Sequence, residues 1–210
     1  MTAIKPLKCL FLLFLIVTKG NAQSSNTDWQ FVKEVKSIKV YHRKHVDNDI
    51  VEIKLVATLK KEKDEVTKYL LNSDNDKDWI YNVKEAYCIE KISENEKISY
   101  TYTYLPIFNN RDVVIKCNWW TDAATQTTTI YAKALTKTAS ESYKALRKDA
   151  VRVTVLETTC ILTKQGQETR FEYYALADPS GKIPIWLVNQ FIDFGPIDSI
   201  LALQANLSKK

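Results

Sequence analysis

The segment Ser180–Pro196, SGKIPIWLVNQFIDFGP, constrains this chain most. Pro184 stands beside the entry turn of a helix, where a missing N–H costs nothing. The apolar residues around it do not keep to one stripe. Ile183, Ile185, Trp186, Leu187, Val188, Phe191, Ile192 and Phe194 cover most of the circumference. A helix that is apolar nearly all round must be covered nearly all round. The fold must supply a partner for one side, and something must meet the other. Gly195 and Pro196 are expected to bend or break the helix, after which PIDSILALQANL resumes helical spacing.

Upstream, the pattern is mostly β. DWQFVKEVK (Asp28–Lys36) has helical spacing, with Asp28 as a cap. IKVYHRKH and IVEIKLVATL read as strands joined by the turn VDND. KKEKDEVTKYLLNSD reads as a helix with Val66, Tyr69 and Leu70 on its apolar face, and NDKDW follows as a capped turn. Six strand candidates come next: VKEAYCIEKI, KISYTYTYL, RDVVIKCNWWTD, QTTTIYAKAL, AVRVTVLETTCILT and ETRFEYYALAD. The gap from Thr136 to Asp149 has room for a short helix or a loop. A run of strands with helices at its ends predicts an α+β fold with an antiparallel sheet. A sheet of this size twists and curls, and the C-terminal helix is expected across its concave face.

The first residues are set apart. MTAIKPLK is basic, CLFLLFLIV is a short apolar run, and TKGNA places Gly20 and Ala22 before a cleavage point. That is the layout of a secretory signal over residues 1–22, too short to span a bilayer comfortably. Cys9 lies inside the apolar run and is not read as a lipidation site. Removing Lys5, Lys8 and Lys19 with it takes the formal charge of +5 to about +2, which does not argue for nucleic acid. Export permits oxidation of Cys88, Cys117 and Cys160. In a meander these sit on alternate strands about 9.6 Å apart, beyond the roughly 7 Å a disulfide spans. They are expected to be buried free thiols.

Catalytic and metal motifs are missing. His42 and His45 are three apart on a strand and face opposite sides, which argues against a shared metal. There is no nucleophile elbow. Beyond the signal, Gly166, Gly181 and Gly195 are scattered and form no phosphate-cradling loop. The alternations carry more information. Val113, Ile115, Cys117 and Trp119 share a face, as do Ile130, Ala132 and Ala134, Val151, Val153 and Val155, and Ile98, Tyr100, Tyr102 and Tyr104. Small residues at Cys117, Ala132 and Ala134 leave room between sheet and helix, so a filled core and a ligand cavity both satisfy the pattern.

The opening segment resembles the C-terminal signature of START domains, the lipid-transfer domains related to the steroidogenic acute regulatory protein. Asp178-Pro179, then Ile183-Pro184-Ile185-Trp186-Leu187-Val188-Asn189, then Pro196 carry it. Three further pieces come in the family's order: Trp29, Val32 and Lys33 with Val40, Tyr41 and Arg43; Asp74 with Trp79; and Arg111-Asp112 opening a central strand. The resemblance covers about residues 28–207, within a domain placed at 27–207.

It implies a helix-grip fold, in which a curved antiparallel sheet wraps the C-terminal helix around an apolar tunnel for one lipid. Tyr100, Tyr102, Cys117, Trp119, Ala132, Val153 and Val155 are the strand candidates for the tunnel lining, and Trp186, Asn189 and Phe191 those of the helix. The loop Leu105–Asn110 corresponds to the one over the tunnel mouth, with Ile107 and Phe108 at its tip and Arg111 and Asp112 as ions fixing it. Some sterol-handling members bury a second Arg six residues after the first; here Cys117 stands there, so sterol specificity is not carried over. The implied function is non-catalytic lipid binding and transfer, with a cyclase-like enzyme or a ligand-sensing scaffold as alternatives. The expected partners are a lipid or other small hydrophobic ligand and a transient membrane surface. The protein is expected to be a periplasmic or secreted monomer with no nucleic acid, metal or cofactor.

Overall fold

A computed structural model describes residues 28–45, 49–143 and 147–209. The signal reading of residues 1–22 falls outside them. Among the described residues, ten strands form one sheet: β1 (Gln30–Val35), β2 (Ile38–Lys44), β3 (Val51–Leu59), β4 (Val83–Ser93), β5 (Glu96–Thr103), β6 (Asn110–Thr121), β7 (Thr128–Ala134), β8 (Ala150–Arg152), β9 (Val155–Gln165) and β10 (Glu168–Asp178). The order is β1-β2-β3-β10-β9-β7-β6-β5-β4. All these neighbours run antiparallel. The helices are α1 (Lys63–Leu71), α2 (Asp76–Trp79), α3 (Lys137–Glu141), α4 (Ile185–Phe191) and α5 (Phe194–Ser208), with a 3-10 turn at Ser73–Asn75.

Residues 28–36 form an edge strand, not the expected helix. The two-residue loop Lys36-Ser37 has positive φ at both positions (48 and 66), the mirror-image turn whose twist suits a hairpin. It pairs Val35 with Ile38, and a bulge between Phe31 and Lys33 turns both Phe31 and Val32 outward.

The expected strand 150–163 is two strands. β8 runs parallel to the start of β6, pairing Asn110–Asp112 with Ala150–Arg152. β7 covers β6 only from Ile115 onward, so β8 takes the edge left open. The chain then breaks at Val153-Thr154 and returns as β9 beside β7. Cys88, Cys117 and Cys160 lie on β4, β6 and β9, alternate strands, and are free thiols. Cys117 and Cys160 are buried, whereas Cys88 is exposed, against expectation.

Helix α1 buries Val66, Tyr69 and Leu70. In α5, Ile197, Ile200, Leu203 and Leu207 repeat at helical spacing and pack into the main core with Leu55, Leu59, Leu162 and Phe171. The break before α5 lies at Ile192-Asp193, not at Gly195-Pro196. A continuous helix would drive the Pro196 ring into the Ile192 carbonyl. With the break there, Pro196 falls in the first turn of α5, where its missing N–H has no intrahelical acceptor.

Candidate functional site

The concave face can be followed across the sheet by register. Ile115, Cys117 and Trp119 of β6 oppose Ala134, Ala132 and Ile130 of β7. Ile130 and Ala132 oppose Cys160 and Thr158 of β9. Cys160 and Thr158 oppose Tyr173 and Ala175 of β10, which oppose Leu55 and Ile53 of β3. This one face carries two separate apolar clusters. The larger lies under α5. The smaller holds Val113, Ala134 and Val153, with Ile115 and Leu156 half-buried against it. Thr158, Ala132 and Ala175 between them are half-buried.

Helix α4 lies on the chain's path from this face to α5, yet it buries none of its residues. Trp186 is 67% exposed and Phe191 60%. Polar bonds fix both ends of α4. At its C-terminal half, the Asn189 amide donates to Asp49 O (2.9 Å) and accepts from Val51 N–H (3.1 Å). Asp193, at the joint with α5, meets His42 Nε2 at 2.5 Å and Lys33 Nζ at 2.8 Å, and these partners hold its carboxyl below the usual range against the upward effect of burial. Ahead of α4, buried Arg111 donates from Nε to Pro179 O (2.5 Å), from Nη2 to Ser180 O (3.0 Å), and from Nη1 to Asn109 O. Gly181 has φ +78, and a Cβ there would sit 3.4 Å from that guanidinium. Arg111 thus couples the approach to α4 with the 104–109 loop, where Ile107 is 88% exposed and Phe108 42%.

The part of this face beside α1 and α2 is polar. Lys97 of β5 stands opposite Cys117. Its buried ammonium donates to Leu71 O (2.5 Å) and Ser73 Oγ (2.7 Å), and Ser73 is 2.8 Å from Ser99 Oγ. Asp76 of α2 accepts from Trp79 Nε1 at 3.3 Å. Burial pushes the Asp76 carboxyl up to about 7 against the pull of Lys97 and that bond. Burial likewise raises the Cys117 thiol to about 11, and raises Cys160 and the Tyr173 phenol, with the Asp76 charge adding to each. Tyr173 and Asp76 nevertheless keep accessible surface.

Several expected lining residues sit elsewhere. Tyr100 and Tyr102 oppose Val114 and Asp112, so they are on the other face of β6 from Cys117. There they form a second core with Ile98 and Val114, against Tyr143 of the β7–β8 connection. Asp112 shares that face, in a bidentate pair with Arg152 (2.8 and 2.7 Å). Val155 is 41% exposed and of opposite parity to Leu156, which takes the inner position. Asn189 is bound to backbone, and Trp186 and Phe191 are exposed. Cys117, Trp119, Ala132 and Val153 do lie on the concave side. Sequence reasoning missed Tyr173, Asp76, Lys97 and Leu156. The Lys97-Ser99-Thr101 alternation on β5 was the available signal for one of them.

The opposite face of the sheet carries a cleft of about 460 Å³ lined by Trp29, Arg43, His45, Glu52 and Tyr174 among others. Its charged groups pair with one another: Arg43 and His45 both reach Glu52, and Arg43 lies 4.4 Å over the Trp29 ring. His42 and His45 therefore serve different carboxylates.

A family model of the START domain matches residues 18–204. The chain is similar to mouse phosphatidylcholine transfer protein, 26% identical over 168 residues that make up 79% of this chain and 77% of that one. It is also similar to a STAR-related lipid transfer protein fragment from Xanthomonas axonopodis, with a TM-score of 0.77 and 25% identity over 86% of this chain and 98% of that one. Human STARD10 superposes with a TM-score of 0.75 at 21% identity, covering 86% and 73%. The Zhui aromatase/cyclase from Streptomyces sp. R1128 shares the fold alone, with a TM-score of 0.53 at 8% identity over 75% and 93%. A curved antiparallel sheet around a broken C-terminal helix, together with a family match over nearly its whole length, shows that the chain belongs to the START-domain family.

Proposed function

We propose that this protein binds one lipid between the concave sheet face and α4 and carries it across water between membranes. The observation that carries this reading is α4 itself: apolar on most sides, pinned by Arg111 and Asn189, and buried by nothing in the described chain. Each methylene withdrawn from water gains roughly 0.8 kcal/mol, so a sixteen-carbon chain gains on the order of 12 kcal/mol before costs. A free lipid rarely crosses that barrier unaided, and a tunnel of similar apolarity lowers it without covalent chemistry. Exposed Ile107, Phe108, Ile185 and Trp186 at the mouth suit brief contact with a bilayer. On this reading the protein is a monomeric carrier, not an enzyme, and the leader-like residues 1–22 would place it in an extracytoplasmic gap. Native mass spectrometry of the purified protein tests it. A bound mass that disappears on denaturation, and that passes between two vesicle populations, is the expected result. A bare mass after incubation with membrane extract would refute carriage.

A further inference from the structure

The side-chain amide of Asn189 takes a place that a strand would otherwise fill. In the β9–β10 hairpin, Gln165 and Glu168 close a two-residue turn, so they are a hydrogen-bonded pair, and the register runs unbroken from them to Val155–Asp178. Even-numbered residues of β10 therefore bond to β9, and odd-numbered ones turn their N–H and C=O toward β3. The β3–β10 register runs from Thr169–Leu59 to Ala175–Ile53 and stops there. Its next hydrogen-bonded pair would be Ala177 with Val51. Both residues already lie in strands: Ala177 pairs with Leu156 of β9, and Val51 with Lys44 of β2. The bond from His45 N–H to Ile50 O (3.1 Å) shows that residue 50 faces β2, so Val51 N–H faces the β10 side. Yet Val51 N–H donates to Asn189 Oδ1 (3.1 Å), and Asn189 Nδ2 donates to Asp49 O (2.9 Å). Those are the two bonds that a parallel strand residue beside Ile50 would make. Among the described residues, neither the N–H nor the C=O of Ala177 has a hydrogen-bond partner. The outer-face cleft opens at this split, with Glu52 of β3 and Leu176 of β10 both in its lining.

We propose that Asn189 is a positioning residue that holds the Val51–Ala177 pair open, and that this pair closes when α4 lifts. Docked α4 makes two bonds to the start of β3 and the residues before it. In the lifted state Val51 N–H donates to Ala177 O, and Ala177 N–H donates to Val51 O, so two bonds replace two. Asp49 is exposed, and its carbonyl returns to water. Lifting then leaves no ladder group unpaired, and it costs less than the loss of two clasping bonds. The link from this exchange of bonds to lipid transfer rests on the carrier reading above; the exchange of bonds itself does not.

Residue-resolved amide exchange by NMR, on the wild type and Asn189→Ala, is the first test. Loss of a merely structural clasp would speed exchange at every amide near it. Here the Ala177 amide, unbonded in the wild type, is expected to slow about tenfold in Asn189→Ala while the amides of α4 accelerate. Ala177→Pro supplies the second test. It removes only an N–H on the β3 side, because β9 bonds to Leu176 and Asp178, so docked α4 keeps its clasp. Transfer of lipid between dioleoylphosphatidylcholine vesicles should then be about tenfold slower than in the wild type, because lifting α4 loses its bonds without return. Ala177 exchange that is unchanged or faster in Asn189→Ala would overturn the proposal, whether or not the proline variant folds. A folded Ala177→Pro that transfers lipid at the wild-type rate would overturn its link to transfer. Slowed Ala177 exchange in a protein that carries no lipid would uphold the exchange of bonds and overturn the carrier reading alone.

Discussion

Asp76 offers a quantitative check on the burial of α2. Its carboxyl is raised by burial from 3.8 to about 7. Between those values the folded protein holds a proton that the unfolded chain has released, so folding stability falls as pH rises from about 4 through 7. The displacement is about three pH units at about 1.36 kcal/mol each, a ceiling near 4 kcal/mol. Asp76 keeps part of its surface accessible, and solvent there screens it, so a loss of about 1–2 kcal/mol is expected. Asp76→Asn keeps an oxygen to accept from Trp79 and cannot ionise. Urea unfolding of wild type and variant, followed by tryptophan fluorescence at pH 4.5, 6 and 8.5, gives the stability difference with other titrating groups cancelled. Relative to Asp76→Asn, the wild type should weaken steadily across that range. Parallel curves, or a wild type that gains on the variant as pH rises, would show that Asp76 is well hydrated and that the argument from burial is wrong.

Further outcomes follow from the same geometry. Arg152→Met leaves the Asp112 carboxylate buried without its bidentate partner and should cost about 3–5 kcal/mol in urea unfolding, while adding Asp112→Asn should restore part of it. A thiol reagent applied to the native protein should label Cys88 promptly and reach Cys117 and Cys160 only on unfolding, since burial holds Cys117 at about 11 and Cys160 higher still. Asn189→Ala removes both bonds between α4 and the β2–β3 connection. Amide exchange in 185–191 should accelerate about tenfold while α5 is unaffected.

The class of fold was legible because the strands announce themselves by alternation and turn residues, and because the segment from Asp178 to Pro196 is distinctive. What was lost has identifiable causes. Trp29, Phe31 and Val35 mimic helical spacing because a bulge turns Phe31 and Val32 both to solvent, and the hairpin turn uses Lys36-Ser37, a pair without the glycine that signals such turns. The alternation of Tyr100 and Tyr102 was legible, but its side was not. β5 is buried on both faces from Lys97 to Tyr102, since the β7–β8 connection covers the outer one, and burial on both faces erases the contrast that tells inside from outside. Asn189 reads as a polar tip for cargo until its partners appear, 138 and 140 residues away, as backbone atoms at the start of β3 and just before it. Asp76 looks like one carboxylate among many in a turn; only the packing of α2 against α5 brings it inside.

Helices α4 and α5 adjoin in the chain and are both largely apolar, yet they stand in different relations to the sheet. In α5 the residues Ile197, Ile200, Leu203 and Leu207 fill the core, and burying such side chains is reason enough for them. No residue of α4 is buried, and its hold on the body is polar: Arg111 before it, Asn189 within it, Asp193 after it. Exposed Trp186 and Phe191 contribute little to folding and add a liability to aggregation. Folding therefore accounts for α5 and does not account for α4. On the carrier reading proposed above, its composition is explained by an apolar occupant beneath it and an apolar surface beyond it, with the polar clasps at its two ends as the points where it would release from the body.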